Sequence, residues 1–173
     1  MQEYEINETT LALVPFKDKT KVYELNHEFI VDKNINKIME DSCTYFGSSL
    51  FGRQRGTSKL IGVTHKAPII VEESKELIFF PTASPRLKNC SWISLKNIER
   101  YYSKKNTICI EFKNKVTIDL NISYGIIDNQ VLRATRLESV LRKRKQQKKD
   151  WNLTNSLQKR SLVCYNFNRY RST

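Results

Sequence analysis

The sequence predicts an α+β fold: an antiparallel curved sheet or partial barrel of short strands, with one inserted helix and a C-terminal packing helix. Many short apolar runs alternate with period two between polar breaks, which is typical of antiparallel strands that bury one face. Two segments, near residues 34–46 and 125–145, instead repeat apolar residues at helical spacing. A strand barrel closed by the second helix, of pleckstrin-homology type, also fits this order of elements.

The strands fall before and after the first helix. Before it we predict strands at residues 4–6 and in the runs TLALVP, TKVYEL and EFIVD. After it we predict strands in TSKLIGV, PIIV and ELIFFP, and we interpret WISLKNIERYY as strand with a break at Lys96 or Asn97. The clearest alternation lies on either side of residues 113–115, which predicts a hairpin there.

Both helices have recognisable features in the sequence. The first begins after Asn34, a good N-cap residue, and ends at Gly47 about three turns later. The second begins near residues 123–125 and runs to about Lys145. At about 100° per residue its apolar side chains gather on one side and its cations on an adjoining side, which predicts one packed and one charged face.

Positive charge is concentrated near the C-terminus. The 173 residues carry a formal net charge of +12, and residues 131–173 hold 12 basic and 2 acidic side chains against 18 and 16 in residues 1–130. We predict one domain over residues 1–145 and a basic, weakly structured extension over residues 146–173. This asymmetry favours a nucleic acid or an acidic surface as partner.

Several classes of function are disfavoured. No apolar run is long enough to span a membrane, and the acidic N-terminus is unlike a signal peptide, so we expect a cytoplasmic protein. No metal motif, P-loop or dinucleotide fingerprint is present, and we predict no cofactor and no enzymatic activity. A nucleophilic Cys43 or Cys90 with His27 or His65 is less favoured than buried free thiols, which we expect at four scattered positions: Cys43, Cys90, Cys109 and Cys164.

The stretch from residue 45 to 71 is the strongest candidate for binding a polyanion, because it holds four cations and no acidic residue. Arg53 and Arg55 lie two apart between Gly52 and Gly56, so in an extended backbone their side chains would project from the same side. Two guanidiniums on a slim, glycine-flanked ribbon suit the narrow, electronegative minor groove of A·T-rich DNA. The alternative is a solvated hairpin tip that is merely basic.

The order of several motifs resembles the ComK family of bacterial competence transcription factors. The motifs are FGSS, the spaced glycines through GRQRGT, HKAPI, FFPT, the WIS triplet, and the paired IS and NQ ahead of an arginine-bearing helix. The resemblance covers about residues 4–142 and fades after Lys143. It implies a transcriptional activator that reads A·T-rich boxes mainly through the minor groove, self-associates on paired boxes, assists RNA polymerase and switches on DNA-uptake genes. It also implies control by a proteolytic adaptor.

We predict that eight cations contact DNA: Arg53, Arg55, Lys59 and Lys66 in the groove and at phosphates, Arg86 and Lys88 on a second loop, and Arg133 and Arg136 as flanking contacts. No helix-turn-helix spacing is evident, so we expect loops or strands rather than a recognition helix to read the groove. The alternatives are a module that binds RNA or an anionic surface without promoter selectivity, a small enzyme acting on a phosphorylated substrate, and a protein that contacts only other proteins.

Overall fold

The computed structural model describes the backbone of residues 4–169 and the side chains of residues 4–152. Contacts within the chain divide it into two units, residues 1–138 and 139–173. No helix among the described residues is both long and apolar enough to cross a bilayer. In chain order the elements are β1 (Thr10–Phe16), β2 (Lys19–Glu24), β3 (Glu28–Val31), α1 (Ile35–Tyr45), α2 (Leu50–Ile61), β4 (Ile69–Glu72), β5 (Leu77–Pro81), β6 (Trp92–Ser94), β7 (Ile98–Lys104), β8 (Thr107–Phe112), β9 (Thr117–Leu120) and α3 (Tyr124–Arg169).

Six strands form the larger sheet, in the spatial order β3-β2-β1-β6-β5-β4. The short strand β6 is central, because Trp92 pairs with Leu13 of β1 and Ile93 pairs with Phe80 of β5. All five residues of β5 are buried. Since neighbouring side chains of a strand point to opposite faces, both faces of the sheet are covered at its centre.

The remaining strands form a second sheet in the order β7-β8-β9. The predicted break in WISLKNIERYY is confirmed, because residues 95–97 separate β6 in the first sheet from β7 in the second. The predicted hairpin at residues 113–115 is confirmed between β8 and β9. The prediction of an antiparallel α+β fold is therefore confirmed, but both sheets are open, so the closed barrel of pleckstrin-homology type is wrong.

The predicted first helix is confirmed as α1. Its N-cap is Asn34, whose side-chain oxygen accepts a hydrogen bond from Lys37 N at 2.9 Å. Three apolar residues of one helix face are buried: Ile35, Ile38 and Met39. They join a core that includes Phe79 and Trp92 of the larger sheet, so α1 packs on one face of that sheet.

Residues 50–61 form a second helix, α2, that the sequence analysis missed. The expected extended ribbon around Arg53 and Arg55 and the expected strand in TSKLIGV are both wrong. The helix has proper ends: Ser49 Oγ accepts a hydrogen bond from Gly52 N at 3.0 Å, and Gly62 ends it in the left-handed conformation with φ of 70°. The helix buries two of its own side chains, Thr57 and Ile61, so tertiary packing stabilises a glycine-containing helix that local propensity disfavours.

Two further differences concern the ends of the chain. Residues 4–6 are not a strand, because Ile6 N donates to the side chain of Ser42 in α1, at 3.0 Å, rather than to a neighbouring strand. Helix α3 begins where predicted but continues past Lys145 to Arg169, and no glycine or proline interrupts residues 126–169. The division of the chain at residue 145 stays a prediction.

One buried amide, that of Gln130 in α3, binds the segment after α2. The Gln130 side chain is 2% exposed, and its Nε2 donates hydrogen bonds to the carbonyl oxygens of Lys66, at 3.1 Å, and Pro81. Its Oε1 accepts a hydrogen bond from Arg133 Nη1, at 3.3 Å, and the same Nη1 donates to His65 O at 3.1 Å. Gln130 and Arg133 therefore hold residues 65–66 against α3.

Replacing Gln130 by Met should destabilise the fold, because Met has a similar size but cannot donate to the buried carbonyl of Pro81 or the partly buried carbonyl of Lys66. We expect the free energy of unfolding, measured by urea denaturation, to fall by about 1–3 kcal/mol. The matched control is Asn129→Met, whose exposed amide donates only to Gly125 O one turn earlier, and it should change the free energy by less than about 0.5 kcal/mol. Equal effects of the two variants would contradict the assigned role of Gln130.

Candidate nucleic-acid interface

The segment between β5 and β6, residues 82–91, forms a closed turn that we call the β5–β6 loop. Its base is held by two hydrogen bonds, Thr82 N to Ser91 O at 2.9 Å and Ser91 N to Thr82 Oγ1 at 3.0 Å. Towards its tip, Leu87 N donates to Ser84 O at 2.9 Å, and Cys90 N donates to Leu87 O at 3.2 Å. These bonds fix the backbone on both sides of Leu87.

The β5–β6 loop is also attached to α1. Asn36 Nδ2, in the first turn of α1, donates a hydrogen bond of 2.8 Å to Pro85 O. The proline ring restricts the backbone at the same residue. Two exposed cations, Arg86 and Lys88, and the exposed side chain of Leu87 therefore stand on a braced loop.

A groove of about 430 Å³, which we call the hairpin groove, lies on one side of this loop. It is bounded by the β1–β2 turn, the start of α1 and the β5–β6 loop itself, through Pro15, Lys17, Asp18, Lys19, Asn34, Ile35, Asn36, Pro85, Arg86, Leu87, Lys88 and Cys90. Four of these side chains are cationic and one is acidic. Lys19 pairs with the exposed Asp32 at 3.1 Å, whereas Lys17, Arg86 and Lys88 form no ion pair with a described carboxylate.

A second groove, of about 440 Å³, lies on the other side of the loop, and we call it the helix groove. It is lined by α2, by the segment after α2 and by the β5–β6 loop, through Gln54, Ser58, Thr64, His65, Lys66, Ala67, Ser84, Pro85 and Arg86. Pro85 and Arg86 line both grooves, so the β5–β6 loop is a ridge between them. The predicted candidates Lys66 and Arg86 meet in the helix groove, although 20 residues separate them in the sequence.

Together the two grooves are lined by five cations, Lys17, Lys19, Lys66, Arg86 and Lys88, against the single carboxylate of Asp18. Their other polar groups are amides and hydroxyls, including those of Asn36, Gln54 and Ser58. Cations with amides and hydroxyls are the usual donors to phosphate oxygens and to the base edges of nucleic acids. The surface is therefore chemically suited to a polyanion.

Helix α2 adds two more of the predicted cations next to this surface. Arg55 and Lys59 are exposed and four residues apart, so they lie on the same outer face of the helix. Neither forms an ion pair with a described carboxylate. The helix groove is lined instead by Gln54 and Ser58 from a neighbouring face of α2.

Arg53 lies elsewhere, which corrects the expectation that it projects beside Arg55. In a helix, residues two apart point about 200° away from each other. The Arg53 side chain is only 17% exposed, and its Nη1 lies 3.5 Å from Glu73 Oε1. Its Nε is buried with no hydrogen-bond partner among the described residues. Arg53 therefore connects α2 to the β4–β5 turn and is not displayed with Arg55.

The two predicted arginines of α3 differ in their surroundings. Arg133 is half-buried and donates to His65 O, so it lies beside a residue that lines the helix groove. Arg136, one turn later, is exposed. The structure thus brings Lys66, Arg86 and Arg133 to the region of the helix groove and places Lys88 beside Arg86 in the hairpin groove. It leaves Arg55, Lys59 and Arg136 as exposed cations outside both groove linings.

Sequence reasoning missed two kinds of residue at this surface. Lys17 lies in the two-residue turn between β1 and β2, and Lys19 begins β2. The position of β6 between β1 and β5 brings this turn close to the β5–β6 loop. Gln54 and Ser58 were overlooked because residues 50–61 were not recognised as helix. The sequence did contain a signal for this helix: Ser49, a good N-cap residue, is followed thirteen residues later by Gly62, a residue that commonly ends helices.

The described side chains offer little support for a nucleophilic cysteine or a metal site. Burial raises the pKa of the Cys43 thiol to about 11 and also raises that of Cys90, so both stay protonated near neutral pH. Cys43, Cys90 and Cys109 are buried and free, as predicted, whereas Cys164 lies outside the described side chains. The helix groove, which His65 lines, contains no cysteine and no acid. Among residues 4–152, no three metal-ligating side chains form a metal-binding cluster.

Comparison with known proteins identifies the relatives of the chain. Residues 1–146 match the sequence model of the family described as "ComK protein". The chain is also 33% identical over 144 residues to a protein of Bacillus subtilis (strain 168) described as "Competence transcription factor", and the match covers 80% of this chain and 75% of that protein. No solved structure matches the chain. The family match and this degree of identity show that the chain belongs to the ComK family.

Proposed function

We propose that this protein is a DNA-binding transcriptional activator of genetic competence. The observation that carries the proposal is the convergence of unpaired cations from three separate segments on the two grooves of a ComK-family protein. Its relative in Bacillus subtilis is described as a competence transcription factor, and a transcription factor requires a surface that binds DNA. Paired surface cations would not serve as well, because their carboxylate partners repel phosphate.

The DNA surface is proposed to centre on the β5–β6 loop. A duplex carries about one negative charge per 1.7 Å of its axis, so a row of cations gains affinity by releasing counterions. The four cations of the two grooves that form no ion pair with a described carboxylate, Lys17, Lys66, Arg86 and Lys88, would bind phosphates on both sides of the ridge. Arg55 and Lys59 on α2, with Arg133 and Arg136 on α3, would extend this contact along the duplex. Arg53 is assigned a structural role in place of the predicted DNA contact.

The minor groove is the proposed site of base reading. It is about 6 Å wide, which is too narrow for a helix but admits a slim loop. The β5–β6 loop offers Arg86 at the ridge, and arginine is attracted to the enhanced negative potential of narrow A·T-rich minor grooves. We therefore propose that selectivity for A·T-rich boxes arises from insertion of this loop, while α2 remains near the backbone.

The proposed activity includes partners beyond DNA. We propose that the protein is cytoplasmic and associated with the nucleoid, that copies of it self-associate on paired boxes, and that it helps RNA polymerase engage the promoters of DNA-uptake genes. We also propose control by a proteolytic adaptor. Membership of the ComK family supports the proposal of these partners, and the alternative of an RNA-binding or anionic-surface module is an outcome of the binding experiments below.

Removing cations from the ridge should weaken DNA binding and reduce its dependence on salt. For Arg86→Gln/Lys88→Gln, we expect the slope of log affinity against log salt to become shallower by about two, because each lost phosphate contact removes about 0.9. The matched control is Lys21→Gln/Lys104→Gln, which removes the same charge from lysines that already pair with Glu28 and Asp119. Equal slopes for the two double variants would contradict the proposed surface.

The two arginines of α2 should behave differently from each other. Arg55→Gln should make the salt slope shallower by about one. Arg53→Gln should leave the slope unchanged, because its guanidinium already lies beside Glu73. Fluorescence anisotropy with a labelled A·T-rich duplex across a salt series measures both. An equal loss of slope in the two variants would show that Arg53 also contacts phosphate.

Inosine·cytosine pairs can show whether the protein reads the major or the minor groove of DNA. Inosine lacks the guanine N2 amino group that marks a G·C pair in the minor groove. We expect inosine·cytosine boxes to be bound nearly as well as A·T boxes and G·C boxes at least about tenfold more weakly. Competition binding at fixed salt gives the three affinities. Equal binding of inosine·cytosine and G·C boxes would place reading in the major groove, and tighter binding to structured RNA than to any duplex would favour the alternative module.

A further inference from the structure

The tip of the β5–β6 loop displays an apolar side chain. Leu87 is 56% exposed and does not belong to the buried core cluster or to the side chains packed against it. Nine large hydrophobic side chains are exposed among the described residues, and Leu87 alone among them lies between two cations in the sequence. Single exposed apolar side chains are common on protein surfaces, so the relevant feature of Leu87 is its position between Arg86 and Lys88 at the tip of a braced loop.

The loop is built to hold this leucine in place. The backbone of Leu87 is fixed on both sides, since its N donates to Ser84 O at 2.9 Å and its O accepts from Cys90 N at 3.2 Å. Two residues before Leu87, the carbonyl of Pro85 accepts a hydrogen bond from Asn36 in α1. An apolar side chain on a backbone held in this way can enter a binding partner with little loss of conformational entropy.

We propose that Leu87 is a wedge that inserts between neighbouring base pairs from the minor groove and bends the duplex. Proteins that bind this groove use arginine and lysine to follow it, and many insert an apolar side chain between base steps, which bends DNA towards the major groove. Arg86 and Lys88 place cations on both sides of the leucine, where they would contact the walls of the groove. The inference rests on the proposed function and adds the residue that deforms the DNA.

The charge of the surroundings selects DNA over a protein partner. Leu87 lines the hairpin groove, and the hairpin and helix grooves together carry five cations with amides, hydroxyls and apolar side chains, and Asp18 as the one carboxylate. An apolar protein surface would have to desolvate these cations without neutralising them, which is unfavourable. A base step in a minor groove offers an apolar slot between two rows of phosphates, which matches this arrangement of leucine and cations.

The test uses the full-length protein and an A·T-rich duplex with dyes at its two ends, so that energy transfer reports bending. A second duplex carries 2-aminopurine at single adenine positions in turn, and its fluorescence rises when that base is unstacked. Wild type should bend the first duplex and brighten at least one position of the second. Leu87→Ala should lose most of both signals and about tenfold in affinity, while Leu87→Met should retain both.

The control is Ile30→Ala, which shortens another exposed aliphatic side chain, 42% exposed on strand β3, and it should bind and bend DNA as wild type does. Equal free energies of unfolding for wild type and Leu87→Ala confirm that the variant is folded. If Leu87→Ala bends and unstacks DNA like wild type, the wedge is refuted while the proposed function stands. If wild type does not prefer A·T-rich duplex at all, both the proposed function and the wedge are overturned.

Discussion

Three buried residues, Trp92–Ser94, join the two halves of the larger sheet. Strand β6 pairs with β1 on one side and with β5 on the other, and Trp92 lies in the core beneath α1. Because β5 and β6 are neighbours, the ten residues between them must leave the sheet and return to it within one closed loop. Because β6 also pairs with β1, that loop emerges beside the β1–β2 turn. The hairpin groove, the ridge and the helix groove all follow from this pairing.

The strands were largely predictable. A strand that buries one or both faces needs a short run or an alternation of apolar residues, and this pattern does not depend on which strand it pairs with. The alternation on either side of residues 113–115 predicted a hairpin, and Asn34 predicted the start of α1. The pairing of strands distant in sequence was not predictable in the same way. Nothing in Lys17 or Lys19 indicates that they will lie near Lys88, since the contact depends on the insertion of β6 between β1 and β5.

The incorrect prediction for residues 50–61 has a physical cause. Two glycines within five residues, Gly52 and Gly56, disfavour a helix by about 1 kcal/mol each, and this composition suggested an extended ribbon. The glycines lie on the exposed side of α2, and a side chain at Gly56 would meet open space. The opposite side buries Thr57 and Ile61, and Glu40 accepts a hydrogen bond from the first amide of the helix at 2.9 Å. Tertiary packing and capping therefore offset the weak propensity, and they turn Arg53 away from Arg55.

The central claim is that the β5–β6 loop and the two grooves beside it form the DNA-binding surface of this ComK-family protein. Amide hydrogen exchange of the full-length protein with and without an A·T-rich duplex tests it most directly, because it compares all segments in one experiment. The account predicts that DNA slows exchange in residues 64–67 and 82–91 and leaves residues 98–120 of the second sheet unchanged. Slower exchange confined to residues 98–120, with residues 82–91 unaffected, would contradict it.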